Sequence, residues 1–471
     1  MSEDNNIAAS EGPGLDPKAL RDGEDRLNPL WIERLRSHIH AGEVHDVAEM
    51  MEPLHAADTG DVLEALVGGE RLALVTMLGD KFDYSALTEV DESVRLELFE
   101  LLPNSEIARG VAGLDSDDAV YILEDLEDVD REDILSKLPP FERLSLKRSL
   151  DYPEESAGRR MQTEFIAIPP FWTVGQTIDY LRSEKELPEE FFQIYVVDPG
   201  YNLLGTLPLD RLLRAKRPTK IEKIMITNVI QVEAAEDQEE AARVFQRYDL
   251  VEVAVVDESH RLVGVLTIDD MVDVIHEEAT EDTLLLAGVG DEDISGGVFA
   301  AVKSRVTWLV VNLVTALLAS FVIGLFDATI EQMVALAVLM PMVASMGGNA
   351  GTQAMTVTVR ALAMRELDRF RIRRLITREM LVGLVNGVIF AVLIGVLTYV
   401  RFGNLGLGVV IGMAMTINMI AAGTAGILIP LGLDRLKIDP AVASSTFVTT
   451  ITDVVGFFAF LGLAGLWFGL F

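Results

Sequence analysis

DPAVASSTFVTTITDVVG, Asp439 to Gly456, opens a stretch running to Phe471 in which Asp453 is the only charge after Asp439. About 20 apolar residues suffice for a helix to cross a bilayer, so this stretch reads as a membrane span. At 3.6 residues per turn, Ser445, Thr449, Thr452, Asp453 and Gly456 fall on one face, a strip of hydroxyls around one carboxylate. An acid at that depth is costly and faces either a partner or a water-filled path. Two readings follow: the strip is the wall of a cation pathway, or it is a polar seam in which Asp453 bonds to a neighbouring helix.

Four further runs upstream have the same character: Val306–Phe326, Gln332–Val359, Met380–Val400 and a region within Phe402–Gly432. With Pro440–Phe471 they make five expected spans. The segment after the second span carries Arg360, Arg365, Arg369, Arg371, Arg373, Arg374 and Arg378, and the one before the last carries Arg435 and Lys437. The other two turns hold Asp327 and Glu331, or Arg401 alone. The bias of basic residues toward cytoplasmic loops then puts the N-terminus in the cytoplasm and the C-terminus outside, in a plasma (inner) membrane. The second span contains PMVASMGGNAGTQ, Pro341–Gln353, in which glycines surround Asn349. A glycine-rich or broken backbone at membrane depth either lines a cavity, where its carbonyls can ligate a cation, or allows close helix packing. The fourth span, with Asn418, Gly423, Thr424 and Gly426, reads as packing.

Residues 156–280 contain an internal repeat. YVVDPGYNLLGTL, Tyr195–Leu207, matches AVVDESHRLVGVL, Ala254–Leu266, with Asp198 over Asp257 and Gly205 over Gly264. Each copy reads as strand, turn, strand, helix. The pair resembles tandem cystathionine β-synthase-type (CBS) modules, small α/β units that bind regulatory ligands. The resemblance implies a ribose-holding Thr267 and Asp270 in the second copy, and hence a weak candidate ATP site. Pro208 and Arg211 stand in those places in the first. The helix after the second copy carries Asp269, Asp270, Asp273, Glu277, Glu278, Glu281 and Asp282, several of them on one face. Like charges at that spacing destabilise a helix unless bridged, so a divalent cation is expected there, the alternative being an exposed amphipathic helix.

Residues 30–155 alternate short amphipathic helices with acidic or Pro/Gly breaks, as in VLEALVGGERLALVTML, a pattern of stacked helix pairs. The acids Asp115, Asp117, Asp118, Glu124, Asp125, Glu127, Asp128 and Asp130 serve either as caps and a solvated face or as cation ligands. Residues 1–29 read as a disordered tail without a signal-peptide pattern, and 281–304 as a connecting, plug-like helix ahead of a membrane domain over 305–471. The expected fold is therefore multidomain: an all-α superhelical N-domain, an α/β tandem pair and an α-helical five-span domain.

Residues 301–471 carry 12 Lys+Arg against 8 Asp+Glu, so residues 1–300 carry 27 against 66, a net charge of −39. That charge argues against nucleic acid and for bound cations. With no cysteine, thiolate metal sites and cysteine nucleophiles are excluded, and none of the six histidines lies in the membrane half. Hydroxyl, carbonyl and carboxylate oxygens suit hard ions such as Mg²⁺ or Ca²⁺. No catalytic spacing is recognisable, so an enzyme is not expected.

Taken together, the acidic N-domain, the repeat pair ending in EEATED, the GGNAGTQ string and the DP…TDVVG span resemble the MgtE family of magnesium channels. The resemblance implies a homodimer with a pore on its axis, lined by the second and fifth spans. Asp453 would be its central Mg²⁺ site, with Thr449, Ser445 and Asn349 nearby. It also implies closure by cytoplasmic Mg²⁺ held by Asp117 or Asp118 and by Asp249, Asp270, Asp273, Glu277, Glu278, Glu281 and Asp282. The expected function is passive Mg²⁺ uptake under negative feedback. The alternatives are a coupled carrier or exchanger, and a non-transporting membrane Mg²⁺ sensor.

Overall fold

The structure is a computed structural model that describes residues 19–24, 26–184, 187–188, 191–289, 298–365, 367 and 369–470. Most of the expected tail and the middle of the expected connecting helix, residues 290–297, lie outside the described residues. The chain divides into two compact units, Met1–His276 and Glu277–Phe471.

The first unit begins with short helices: α1 (Pro29–Ala41), α2 (Val44–Met51), α3 (Ala56–Ala65), α4 (Gly68–Leu78), α5 (Glu92–Leu101), α6 (Asn104–Val111), α7 (Ser116–Glu124), α8 (Asp128–Lys137) and α9 (Pro140–Leu150). Their boundaries follow local chemistry. In α1 the Asn28 side chain accepts from Leu30 N, proline occupies the first turn, and Gly42 closes the helix at φ 72°. Trp31, Ile32, Leu35 and Ile39 repeat at three- and four-residue spacing and enter a core shared by all nine helices, from Val47 of α2 to Leu146 of α9. The longest fully buried side chain there is Arg95, whose guanidinium hydrogen-bonds Asp125 and the carbonyl of Leu87.

Two small sheets follow. In the first, β1 (Ala167–Ile168) runs parallel to β2 (Gln193–Val197), which pairs antiparallel with β3 (Leu203–Pro208); α10 (Val174–Ser183) and α11 (Leu209–Arg214) complete the module. The second repeats the arrangement with β4 (Gln231–Glu233), α12 (Gln238–Tyr248), β5 (Glu252–Val256), β6 (Leu262–Thr267) and α13 (Ile268–Leu286). Both sheets slip register at the same place, Val196/Val197 and Val255/Val256. The turns match too: Asp198 accepts from Gly200 N and Asn202 N, and Asp257 from Ser259 N and Arg261 N. The paired glycines are explained by a crossing backbone. A methyl group at Gly205 would stand 2.7 Å from the Ile226 carbonyl, and one at Gly264 would stand 2.8 Å from that of Gln162. Tyr195 and Val197 of one module pack with Ala254, Leu262 and Val265 of the other.

The second unit is helical: α14 (Val298–Gly324), the short α15 (Asp327–Gln332), α16 (Ala335–Ala363), α17 (Arg369–Phe402), α18 (Leu405–Arg435) and α19 (Pro440–Phe468). α18 packs against α16, α17 and α19 and is buried along most of its length. Four of these helices, α14, α17, α18 and α19, are long and apolar enough to cross a membrane. α16 has the length but carries Asn349, Thr352, Gln353, Thr356 and Thr358, and its apolar content falls short of theirs. The expected spans thus appear as five long helices, one of them polar in its middle. Of the two readings of PMVASMGGNAGTQ, the helix is continuous rather than broken: α16 runs from Ala335 to Ala363 with Pro341 inside it. Its glycines admit neighbouring helices instead. Gly351 receives Val448 of α19, and its carbonyl faces Gly426 of α18, where a methyl group would stand 2.7 Å away.

Candidate functional site

Two candidate sites emerge, one in each unit. In the first unit the start of α7 and the start of α13 bring their acids together. The carboxyls of Asp117 and Asp270 act on one another: after burial, Asp270 is the charge that raises Asp117 most. Burial, then the charges of Asp270, Asp115, Glu89 and Asp269, pushes the Asp118 carboxyl up to about 7. Burial likewise pushes Asp270 up to about 6, together with Asp269 and Asp273, against hydrogen bonds from Thr267 and Asp117. Asp117 is raised well above the usual carboxylate range, by burial first and then by Asp270 and Asp118. Asp273 is raised by burial and Asp269, with His276 and Arg160 opposing.

Direct contacts tie α7 to the segment before β1 and to α12. Ser116 Oγ donates to Glu164 Oε2 at 2.7 Å and accepts from Thr163 N at 2.7 Å. Arg160 lies 5.1 Å from the Tyr121 ring, which Arg95 approaches at 4.5 Å, and its Nε donates to Gln238 at 3.0 Å. Beside the acids is a cavity of about 450 Å³ lined by Asp115, Asp117, Asp118, Asp269 and Asp270, with Thr267, Phe165, Phe192 and Glu252 on its walls. Thr267 hydrogen-bonds Asp270. Glu252 is held by Tyr195 Oη at 2.6 Å and Phe192 N at 3.1 Å.

Of the expected sensing acids, Asp117, Asp118, Asp270 and Asp273 are thus brought together. Asp249 is not among them: it is exposed and ends α12 in a left-handed conformation, φ 52°. Glu277, Glu278, Glu281 and Asp282 occupy later turns of α13, beyond the division of the chain at His276. Sequence reasoning missed Glu89, whose carboxyl is raised by burial and by Asp273 and which acts on Asp118. It stands outside any helix, and only its place in the acidic TEVDES segment hinted at it.

The second site is on α19. Asp453 is half-buried and has no hydrogen bond or ion pair among the described residues. The Thr449 hydroxyl donates to Ser445 O and Thr446 O, both at 3.0 Å, and that of Thr452 donates to Thr449 O at 2.9 Å. Donation back into the helix spends the protons and leaves oxygen lone pairs as acceptors. α16 runs alongside: a methyl group at Gly348 would stand 3.9 Å from Thr449, and one at Gly351 would stand 3.5 Å from Thr452. Asn349, next to Gly348, is exposed. The end of α13 reaches this unit, where Leu285 packs with Met355 and Val359 of α16 and with Ala441 and Val448 of α19.

An acidic helical domain, a pair of strand–helix modules and a bundle of long apolar helices, with an internal acid that has no partner among the described residues, fit the class of divalent-cation transporters. Residues 340–463 match a family described as divalent cation transporter, 54–155 the MgtE intracellular N domain, and 221–277 the CBS domain. The magnesium transporter MgtE of Bacillus subtilis is 31% identical over 434 residues, 92% of this chain and 96% of the relative. That of Thermus thermophilus is 32% identical over 441 residues, 92% and 97% of the two chains. A crystal structure of the cytosolic domain of the Mg²⁺ channel MgtE in complex with ATP is 30% identical and covers 52% of this chain and 99% of its own, with a TM-score of 0.49. This chain belongs to the MgtE family of magnesium transporters, a family of membrane transporters and not of enzymes.

Proposed function

We propose that the chain conducts Mg²⁺ passively into the cell through a pore bordered by α19 and α16, and that cytoplasmic Mg²⁺ closes it. The observation that carries this reading is Asp453, an acid inside a membrane helix with no partner among the described residues, flanked by Thr449 and Thr452. The seam reading needs a bond from Asp453 to a neighbouring helix, and none is found among the described residues. Mg²⁺ dehydrates reluctantly and keeps several waters, so carboxylate and hydroxyl oxygens on an open wall suit it better than a tight cage. Two copies of Asp453, one from each subunit of a homodimer, would supply two carboxylates. A divalent ion gains about 4.6 kcal/mol per 100 mV of inside-negative potential, twice the single-charge value, which is sufficient drive for uptake.

For the regulatory ion, Asp117, Asp118, Glu89, Asp270 and Asp273 are the fitting donors: hard oxygens, crowded and buried enough that each carboxyl is raised above its ordinary value. The ion supplies positive charge that relieves their repulsion. α13 begins at these acids and ends at Leu285 among residues of α16 and α19, which makes it the candidate link between sensing and gating. A second reading concerns ATP at Thr267 and Asp270, favoured by the cavity those residues line. The N-terminus would be cytoplasmic and the C-terminus outside, in the plasma membrane.

The decisive experiment is Mg²⁺ flux into vesicles holding the full chain or its Asp453→Ala variant. Loss of flux in a correctly inserted variant supports the pore, and retained flux overturns it. Single-channel currents beyond carrier turnover separate a channel from an exchanger.

A further inference from the structure

We propose that Asn418 is a positioning residue for conduction, its side-chain amide acting as the spacer that sets α16 against α19. The inference rests on the reading that ions pass beside α19. Asn418 lies midway along α18 and is fully buried. Its Nδ2 donates to the Val343 carbonyl of α16 at 2.9 Å, while its Oδ1 has no hydrogen-bond partner among the described residues.

That pairing is incomplete, and an unpaired buried amide oxygen costs about 1–3 kcal/mol. A leucine of similar size would avoid the cost, so stability alone does not account for asparagine here. The shape of the slot does. A methyl group at Gly347 of α16 would stand 2.1 Å from Asn418 Nδ2, and one at Gly456 of α19 would stand 2.7 Å from the same atom. The amide therefore fills the space between two side-chain-free positions on the two helices that flank the proposed path. It is planar and thin, whereas a branched aliphatic group is thick in every direction. Both glycines are close in sequence to site residues: Gly347 is two before Asn349, and Gly456 is three after Asp453 on the same helix face. A change in the width of the slot shifts those residues without altering any group that touches an ion.

The absence of cysteine allows a direct test in the full-length protein in vesicles. A Gly348→Cys/Thr449→Cys pair reports the α16–α19 spacing through the rate of oxidative cross-linking. Adding Asn418→Ala is expected to change the cross-linking rate at least fivefold, in either direction, and an unchanged rate overturns the proposal. If Asn418→Ala does not reach the membrane, the same rate is read in Gly347→Ala, whose added methyl pushes on the amide, with the same two outcomes. In flux, Asn418→Ala and Gly347→Ala are each expected to lower Mg²⁺ transport at least tenfold. The double variant, in which the methyl occupies the vacated slot, should recover part of the loss; losses that simply multiply count against a shared slot. The Mg²⁺-to-Mn²⁺ flux ratio should also shift at least threefold, which mere loss of folded protein leaves constant, and a constant ratio overturns the positioning role. Should Asp453→Ala retain flux, the pore reading fails, while the cross-linking result still stands or falls by itself.

Discussion

The carboxyl group of Asp270 pushes that of Asp117 up although 152 residues lie between them in the chain. Around them Asp118 is pushed up to about 7 and Asp270 to about 6, by burial and by the charges of neighbouring acids. Their pKa values are raised above the ordinary carboxylate value of 3.8. The protonated forms therefore stabilise the packed arrangement fully below that value, and the stabilisation is lost as pH rises through 6 to 7. In chelator, protease should cut the segment between α9 and β1 several-fold faster at about pH 8 than at about pH 5.5, and millimolar Mg²⁺ should abolish the difference. Equal rates at the two pH values would count against a proton-holding cluster.

Much of the architecture is legible from pattern. The repeat of Tyr195–Leu207 in Ala254–Leu266 announces two like modules, because the same crossing backbone demands glycine at 205 and 264. Charge-free runs of about 20 residues announce the long helices, since a single apolar segment of that length satisfies its own backbone in lipid only as a helix. What stays hidden depends on tertiary approach. Nothing local distinguishes Glu89 from other acids of its segment, and its role appears only when Asp118 and Asp273 close around it. The GGNAGTQ string suggests a broken helix as readily as a tightly packed one, because glycine serves both; the choice is made by Val448, Asn418 and Gly426 on neighbouring helices. Asn418 reads as packing in sequence, and only the two facing glycines reveal a slot.

Arg95 and Asp125 test the core of the helical domain. Arg95 is 2% exposed and its guanidinium is hydrogen-bonded by Asp125 and by two backbone carbonyls, those of Leu87 and Val90. Removing one partner of such a pair leaves a buried charge unanswered, at a cost of about 3–5 kcal/mol. Asp125→Ala should accelerate amide hydrogen exchange throughout α5 and α7 in the full-length protein. Arg95→Met/Asp125→Leu should be much milder than either single change, and a double variant as weak as Asp125→Ala would contradict the argument.

Gly426 tests helix packing in the membrane unit. A methyl group there would stand 2.7 Å from the Gly351 carbonyl, 2.8 Å from Ala354 Cβ and 2.9 Å from Met355 N, and backbone cannot yield as a side-chain end can. Overpacking of this kind costs about 1–3 kcal/mol. Gly426→Ala should lower the melting temperature in detergent by several degrees, whereas Gly432→Ala, with nothing within 4 Å of the new methyl, should leave it unchanged. Equal melting of the two variants would contradict close α16–α18 contact.

Thr449 tests whether hydroxyl oxygens contribute to conduction. Its proton is given to Ser445 O and Thr446 O, so its oxygen keeps acceptor capacity toward the face it shares with Asp453. Thr449→Ser preserves that oxygen and should conduct Mg²⁺ within about twofold of the native chain, because the lost methyl carries no ligand. Thr449→Val preserves the shape and removes the oxygen. A water-mediated or direct hydrogen bond to a charged species is worth about 1.5–3 kcal/mol, which corresponds to a loss of roughly tenfold or more in flux. Melting temperature should be unaffected by the valine, because the hydroxyl bonds only carbonyls already engaged in the helix. If Thr449→Val conducts as well as Thr449→Ser, the strip opposite α16 is a packing surface, and Asp453 acts without hydroxyl assistance.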